Sequence, residues 1–175
     1  MRLVLFGLAG LLAALGLFLL YVLGRSSTLH LERTIAIAAP PGRVYALIHD
    51  LHQWPTWWKN ERLDGPRQVT YSGAPRGVGA EVQSAGKALF TFRITKVVPD
   101  RQVELDVTGS TLATGYRLRF VVVPTATGCT VTVHMDRQLE YWEKLLDTVT
   151  RGLAPILGEG YERTLTELRR AAEAG

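Results

Sequence analysis

The stretch QVELDVT, residues 102–108, followed after a short gap by ATGYRLRFVVV, residues 113–123, decides the fold. Each segment alternates apolar and polar residues with a period of two, the pattern of a half-buried strand. If the two pair antiparallel with Leu105 opposite Leu118, then Glu104 falls opposite Arg119 and Asp106 opposite Arg117. Two opposite-charge pairs then share one face. The other face receives Val103, Leu105, Val107, Tyr116, Leu118 and Phe120. A slip of one residue would turn every side chain to the wrong side, so this register alone sorts polar from apolar. It predicts a sheet that is wet on one side and buried on the other.

Outward from this hairpin the same period continues. Strands are expected at about 68–72, 80–85, 88–98 and 129–139, besides 102–108 and 113–123. Turn residues separate them: Gly73-Ala74-Pro75-Arg76-Gly77, Gly86-Lys87, Pro99-Asp100, Gly109-Ser110 and Pro124 through Gly128. Short turns between consecutive strands imply an antiparallel meander. A further strand is expected at 28–38, where Leu29, Leu31, Arg33, Ile35 and Ile37 share one parity. Pro40-Pro41-Gly42 ends it, and Pro41 suits a first helical turn. Val44, Tyr45, Leu47 and Ile48 then form a helical stripe that ends near Asp50. A second short helix or turn, 51–59, carries Trp54, Trp57 and Trp58 around Pro55, three of the four tryptophans. Residues 141–174 read as a helical region covering the sheet, with Leu145, Leu146, Val149, Leu153, Ile156, Leu157, Tyr161, Leu165 and Leu168 at three- and four-residue steps. Gly152, Pro155, Gly158 and Gly160 should kink or break it, giving a lead-in to about Leu153 and a main helix that ends in Arg169-Arg170.

At the other end, Leu3 to Leu23 is a run of 21 residues without a charge. As a helix at about 1.5 Å per residue it covers roughly 31 Å, the thickness of a bilayer's hydrocarbon core. It is too long for a cleavable signal and exits through Tyr21-Val22-Leu23-Gly24-Arg25 without a small-x-small cleavage pattern. Tyr21 suits the headgroup level. The expectation is an uncleaved single-pass anchor, residues 1–24, followed by one domain, residues 25–175. Arg2 on one side against Arg25, Arg33 and Arg43 on the other leans toward a cytoplasmic domain. Gly10 and Ala14 are spaced for close helix approach, but in a span rich in small residues a plain monomeric anchor accounts for them.

Of the 175 residues, 20 are Lys or Arg and 16 are Asp or Glu, and Arg2 is the only charge ahead of Arg25. Basic residues are scattered among acids, which argues against a nucleic-acid stripe. The single cysteine, Cys129, excludes an internal disulfide and a Cys-rich metal site. There is no G-x-S-x-G, H-E-x-x-H, C-x-x-C or phosphate-binding glycine loop. In His49-Asp50-Leu51-His52 the aspartate is placed to cap the next turn and the histidines to favour a helix end, so a metal or acid–base role is not assigned. His134 and Asp136 fall on the face opposite Val131, Val133 and Met135 and should meet solvent. Cys129 has no histidine nearby in sequence to activate it. No catalytic residue, metal ligand or cofactor is expected.

The aromatics differ. Trp54, Trp57, Trp58, Tyr71, Phe90, Phe92, Tyr116 and Phe120 supply more rigid apolar area than a short helix pair needs for docking. Laid between a curved sheet and a long helix, and joined by Leu157 and Tyr161, they are candidates to line a cavity for an apolar ligand.

The ordered set of motifs then resembles a known family. Leu31-Glu32-Arg33-Thr34-Ile35-Ala36-Ile37-Ala38-Ala39-Pro40-Pro41, Val44 through Leu51 and Trp54-Pro55-Thr56-Trp57 resemble the START-like (SRPBCC) superfamily. So do Tyr71-Ser72-Gly73, Gly77-Val78-Gly79-Ala80 and Gly128-Cys129-Thr130-Val131-Thr132-Val133. The likeness is to the polyketide cyclase/dehydrase branch, in particular its bacterial members with one N-terminal membrane helix. It implies an α+β helix-grip fold, a seven-stranded antiparallel sheet around a long C-terminal helix. It also implies binding of a lipid or another hydrophobic small molecule, with a minority of members catalysing cyclisation or dehydration. A catalyst would need polar groups in the cavity, for which Lys96, Tyr71, Tyr116 and Tyr161 are the candidates. The remaining alternative is a scaffold for a protein partner. The interrupted helical region around Pro155 departs from the family pattern.

Overall fold

The computed structural model describes residues 2–58, 68–85, 89–109, 115–150, 152 and 154–174. The expected turns at Gly86-Lys87 and Ser110, and the expected element ends Lys59, Ala88, Ala113 and Leu153, lie outside these residues. Helix α1 (Arg2–Gly24) precedes β1 (Thr28–Ile37), α2 (Pro41–His49), a 3₁₀ turn (Leu51–Gln53) and α3 (Trp54–Trp57). Strands β2 (Gln68–Gly73), β3 (Ala80–Ala85), β4 (Leu89–Val98), β5 (Gln102–Gly109), β6 (Tyr116–Thr125) and β7 (Gly128–Gln138) follow. Helices α4 (Tyr141–Val149) and α5 (Ala154–Glu173) complete the chain.

The strands form one seven-stranded antiparallel sheet in the order β1-β7-β6-β5-β4-β3-β2. The meander runs from β2 to β7, and β1 then closes onto β7. In the β5–β6 hairpin Leu105 faces Leu118, Glu104 faces Arg119 and Asp106 faces Arg117, as the charge complementarity requires. Leu105, Leu118, Val103 and Phe120 are sealed from solvent. Along β7, Cys129, Val131, Val133 and Met135 alternate inward. The β6–β7 connection is tighter than expected: Pro124 and Thr125 remain in the ladder, opposite Cys129 and Gly128. Gly128 permits this, for at φ 152° its missing Cβ leaves room for the Ile37 carbonyl oxygen of the neighbouring strand.

Helix α5 lies on the inward face of the sheet, with Tyr161, Leu165, Leu168 and Ala172 buried. This is the α+β helix-grip arrangement. Only one of the expected breaks occurs. The chain departs from helix at Gly152 (φ 107°), between α4 and α5. Pro155 falls in the first turn of α5, where its missing N–H had no partner to lose. Gly158 and Gly160 stay helical, and Gly158 leaves room for the Arg33 guanidinium, which pairs with Glu162 at 2.7 Å.

The apolar stripe of the lead-in does not do what periodicity suggested. Leu146 and Val149 of α4 point outward, because the opposite side of this helix is claimed by buried charge. Glu143, 2% exposed, pairs with Arg137 of β7. Helix α1 packs beside α4. Within it, Phe6–Gly24 is long and apolar enough to cross a membrane, a property that a signal sequence shares.

Candidate functional site

The inward end of the sheet beneath α2 and α3 gathers most of the candidate aromatics. Helix α2 ends without enough partners for its last carbonyls, as any helix does. Two indoles supply them: Trp54 Nε1 donates to the Ile48 carbonyl at 2.9 Å and Trp57 Nε1 to that of Leu47 at 3.1 Å. These bonds allow tryptophans to be buried at low polar cost. Trp57 is fully buried and Trp54 is 4% exposed. Trp58, which follows the last residue of α3, is only half-buried and stacks on Trp54 with ring centres 4.6 Å apart. Its edge and face meet Phe92 at 5.5 Å, Phe120 at 6.3 Å and Tyr161 of α5 at 6.4 Å. Phe90 adjoins Phe92 at 6.5 Å, and Leu157 packs against the same core from α5.

The polar end of this site is a pair of tyrosines. The Tyr116 and Tyr161 hydroxyls are close enough to influence each other electrostatically, and Tyr161 Oη donates to Met135 Sδ at 3.4 Å. The Tyr116 ring is half-buried, but its hydroxyl end lies inside the protein. Burial pushes Tyr116 up to about 12, against a partial opposing effect of the neighbouring Tyr161 hydroxyl and the Arg137 charge. Burial, and then the neighbouring Tyr116, push Tyr161 well above 10.0. Both phenols are therefore neutral hydrogen-bonding groups at physiological pH, not bases. A cleft of about 430 Å³ opens beside Tyr116 at this end of β5, β6 and β7, bounded largely by the outer-face residues Asp106, Thr108, Arg117 and Asp136 together with Arg137.

Two candidates lie elsewhere. Tyr71 stands on the exposed strand β2, stacked on His52 at 4.1 Å. Lys96 is on the outer face, 3.7 Å from Glu104 and 60% exposed, so it supplies no charge to the interior. Asp50 accepts from the His52 backbone N–H at 3.0 Å and caps the 3₁₀ turn, as its position implies. Burial pushes the Cys129 thiol up, which disfavours a thiolate.

The β1–β7 pairing assembles a constellation with no local signal in the sequence. It sets Glu32 opposite His134 and His30 opposite Asp136 on the outer face. Donor atoms of His30, Glu32 and His134 lie within 4.8 Å of one another, close enough for a cation. The same two rows continue into Arg119 and Arg117 of β6. Those guanidiniums disfavour a metal there, and the four residues read better as cross-strand histidine–carboxylate pairs beside the two arginines.

Comparison with known proteins agrees with this architecture. The family model described as polyketide cyclase / dehydrase and lipid transport matches residues 28–173. A solved structure from Rhodobacter sphaeroides is similar at 16% identity over 86% of this chain and 95% of its own, with a TM-score of 0.64. One from Chromobacterium violaceum is similar at 16% identity over 84% of this chain and 97% of its own, with a TM-score of 0.61. DynU16, from the dynemicin biosynthetic locus, is similar at 16% identity over 82% of this chain and 47% of its own, with a TM-score of 0.60. At such identities the likeness is one of fold. No curated protein matches the sequence.

Proposed function

Because the chain belongs to the polyketide cyclase/dehydrase and lipid transport family, we propose that it binds a hydrophobic small molecule or lipid between the sheet and α5, tethered to a membrane through residues 1–24. The domain of residues 25–175 is the binding unit. The observation that carries this reading is the state of Trp58. Its neighbours Trp54 and Trp57 are sealed by protein, but Trp58 keeps part of its surface uncovered while facing Phe92, Phe120 and Tyr161. A half-covered indole against three aromatic rings is the wall an apolar ligand would complete. The tyrosine pair offers neutral hydrogen bonds to a polar head. Tethering would raise the local concentration of ligands drawn from the bilayer.

A cyclase or dehydratase is the less favoured role. Its acid–base groups would have to come from Tyr116 and Tyr161, both held protonated by burial. The test is mild-detergent extraction of the full chain followed by mass spectrometry of what co-purifies. A stoichiometric apolar molecule, depleted in Trp58→Ala, is the expected result. A wild-type protein without bound lipid, which also fails to take up added fatty acid, would overturn the proposal.

A further inference from the structure

Helix α4 is built inside out. At about 100° per residue, Tyr141, Leu145, Val149, Trp142 and Leu146 fall within an arc of about 140°, and the arc is wholly apolar or aromatic. Four of these five residues face outward, Tyr141 at 41% exposed, Trp142 at 37%, Leu146 at 42% and Val149 at 66%, with Leu145 between them half-buried. The polar side of the helix faces the protein instead. Glu143 is buried against Arg137 and reaches back to the Glu140 backbone N–H at 3.0 Å, within a capping box. An ordinary surface helix does the reverse, since exposed apolar area of this extent costs free energy in water.

The position of α4 indicates what covers it. Its polar side is fastened to the exit of α1. Arg25 Nη1 donates to Thr148 Oγ1 at 3.0 Å, Arg25 Nη2 lies 3.7 Å from Asp147, and Lys144 Nζ donates to the Arg25 carbonyl at 3.1 Å. Val22, one turn before that exit, is fully buried, whereas Phe6, Leu12 and Leu17 of α1 are 74%, 59% and 69% exposed. A bilayer that takes up the apolar length of α1 therefore ends at the level of Arg25, beside α4.

We propose that the Tyr141–Leu146–Val149 face of α4 lies in the lipid headgroup boundary of the membrane that α1 spans, seating the domain on the bilayer. This rests on the membrane-tethered reading above. Trp142 and Tyr141 are the amphipathic rings that favour that boundary, and the remaining apolar side chains would reach about 5–10 Å into it. The buried Arg137–Glu143 pair then holds the lipid-seated helix to β7, where Arg137 is the cross-strand partner of Tyr116.

The test uses the full chain in vesicles of phosphatidylcholine and phosphatidylglycerol. Single nitroxide labels are placed at Leu12→Cys, Leu146→Cys, Val149→Cys or Val123→Cys in a Cys129→Ala background, and collision with oxygen is compared with collision with a water-soluble nickel complex. The labelled positions are exposed, and because Cys129 is buried the unlabelled Cys129→Ala chain is the folding control. The expected oxygen-to-nickel ratio at 146 and 149 is several-fold higher than at 123 and approaches that at 12. Three outcomes would overturn the proposal. With 12 in lipid but 146 and 149 as aqueous as 123, the seating fails and the anchor stands. With 146 and 149 shielded from both colliders, the face is covered by protein. With 12 itself aqueous, the anchor fails and the seating with it.

Discussion

Single residues divide the aromatic cluster into two kinds. Trp57 is fully enclosed and donates its N–H to the end of α2. Its truncation removes both packing and a carbonyl's partner, so Trp57→Ala is expected to lower stability by about 3–5 kcal/mol, read from denaturant unfolding. Trp58→Ala, at a half-buried position, should cost markedly less stability yet abolish uptake of apolar ligand. Equal losses in both variants would make Trp58 plain core. The tyrosines give a pH signature. Folding raises Tyr116 from 10.0 to about 12, so the folded state keeps a proton that the unfolded chain releases. That contribution to stability is complete below pH 10 and is lost as pH rises through about 12. Tyr116→Phe should flatten the alkaline limb of the stability profile. A variant as alkali-sensitive as the wild type would show that the phenol is not held neutral by the fold.

Among the elements, the register of the β5–β6 hairpin was legible, because Glu104, Asp106, Arg117 and Arg119 fit one register and no other. The β1–β7 pairing was not, since its partners lie about a hundred residues apart, and with it went the grouping of His30 and Glu32 with His134 and Asp136. Helix α4 deceived for a different reason. Periodicity reports that a helix has an apolar face but not which way that face turns. Only the burial of Glu143 against Arg137 reveals the direction. Removing Glu143 takes its carboxylate away from a buried guanidinium, so Glu143→Ala should destabilise by about 3–5 kcal/mol, and Arg137→Met combined with Glu143→Leu should recover much of that loss. At the β6–β7 turn, Gly128→Ala would drive a methyl into the Ile37 carbonyl. Strain at a positive φ adds about 1–3 kcal/mol, and a lowered thermal midpoint would register it.

For the molecule as a whole, the order of elements was readable and the cavity was not. Alternation places Leu105, Leu118 and Val133 inside, and helical spacing does the same for Leu168, but neither can say whether rings meeting in the interior fill it or merely line it. Tyr71 illustrates the limit: it has the composition of a wall residue, yet it sits on an exposed strand against His52. The most direct measurement of the central claim is photo-crosslinking in native membranes that contain the full chain, with a fatty acid carrying a diazirine at its tail, followed by peptide mapping. Adducts on the peptides that hold Trp58, Phe92 and Tyr161, competed away by unlabelled fatty acid, are the predicted result. Adducts confined to α1 and the outward face of α4, with the interior peptides unlabelled, would contradict it.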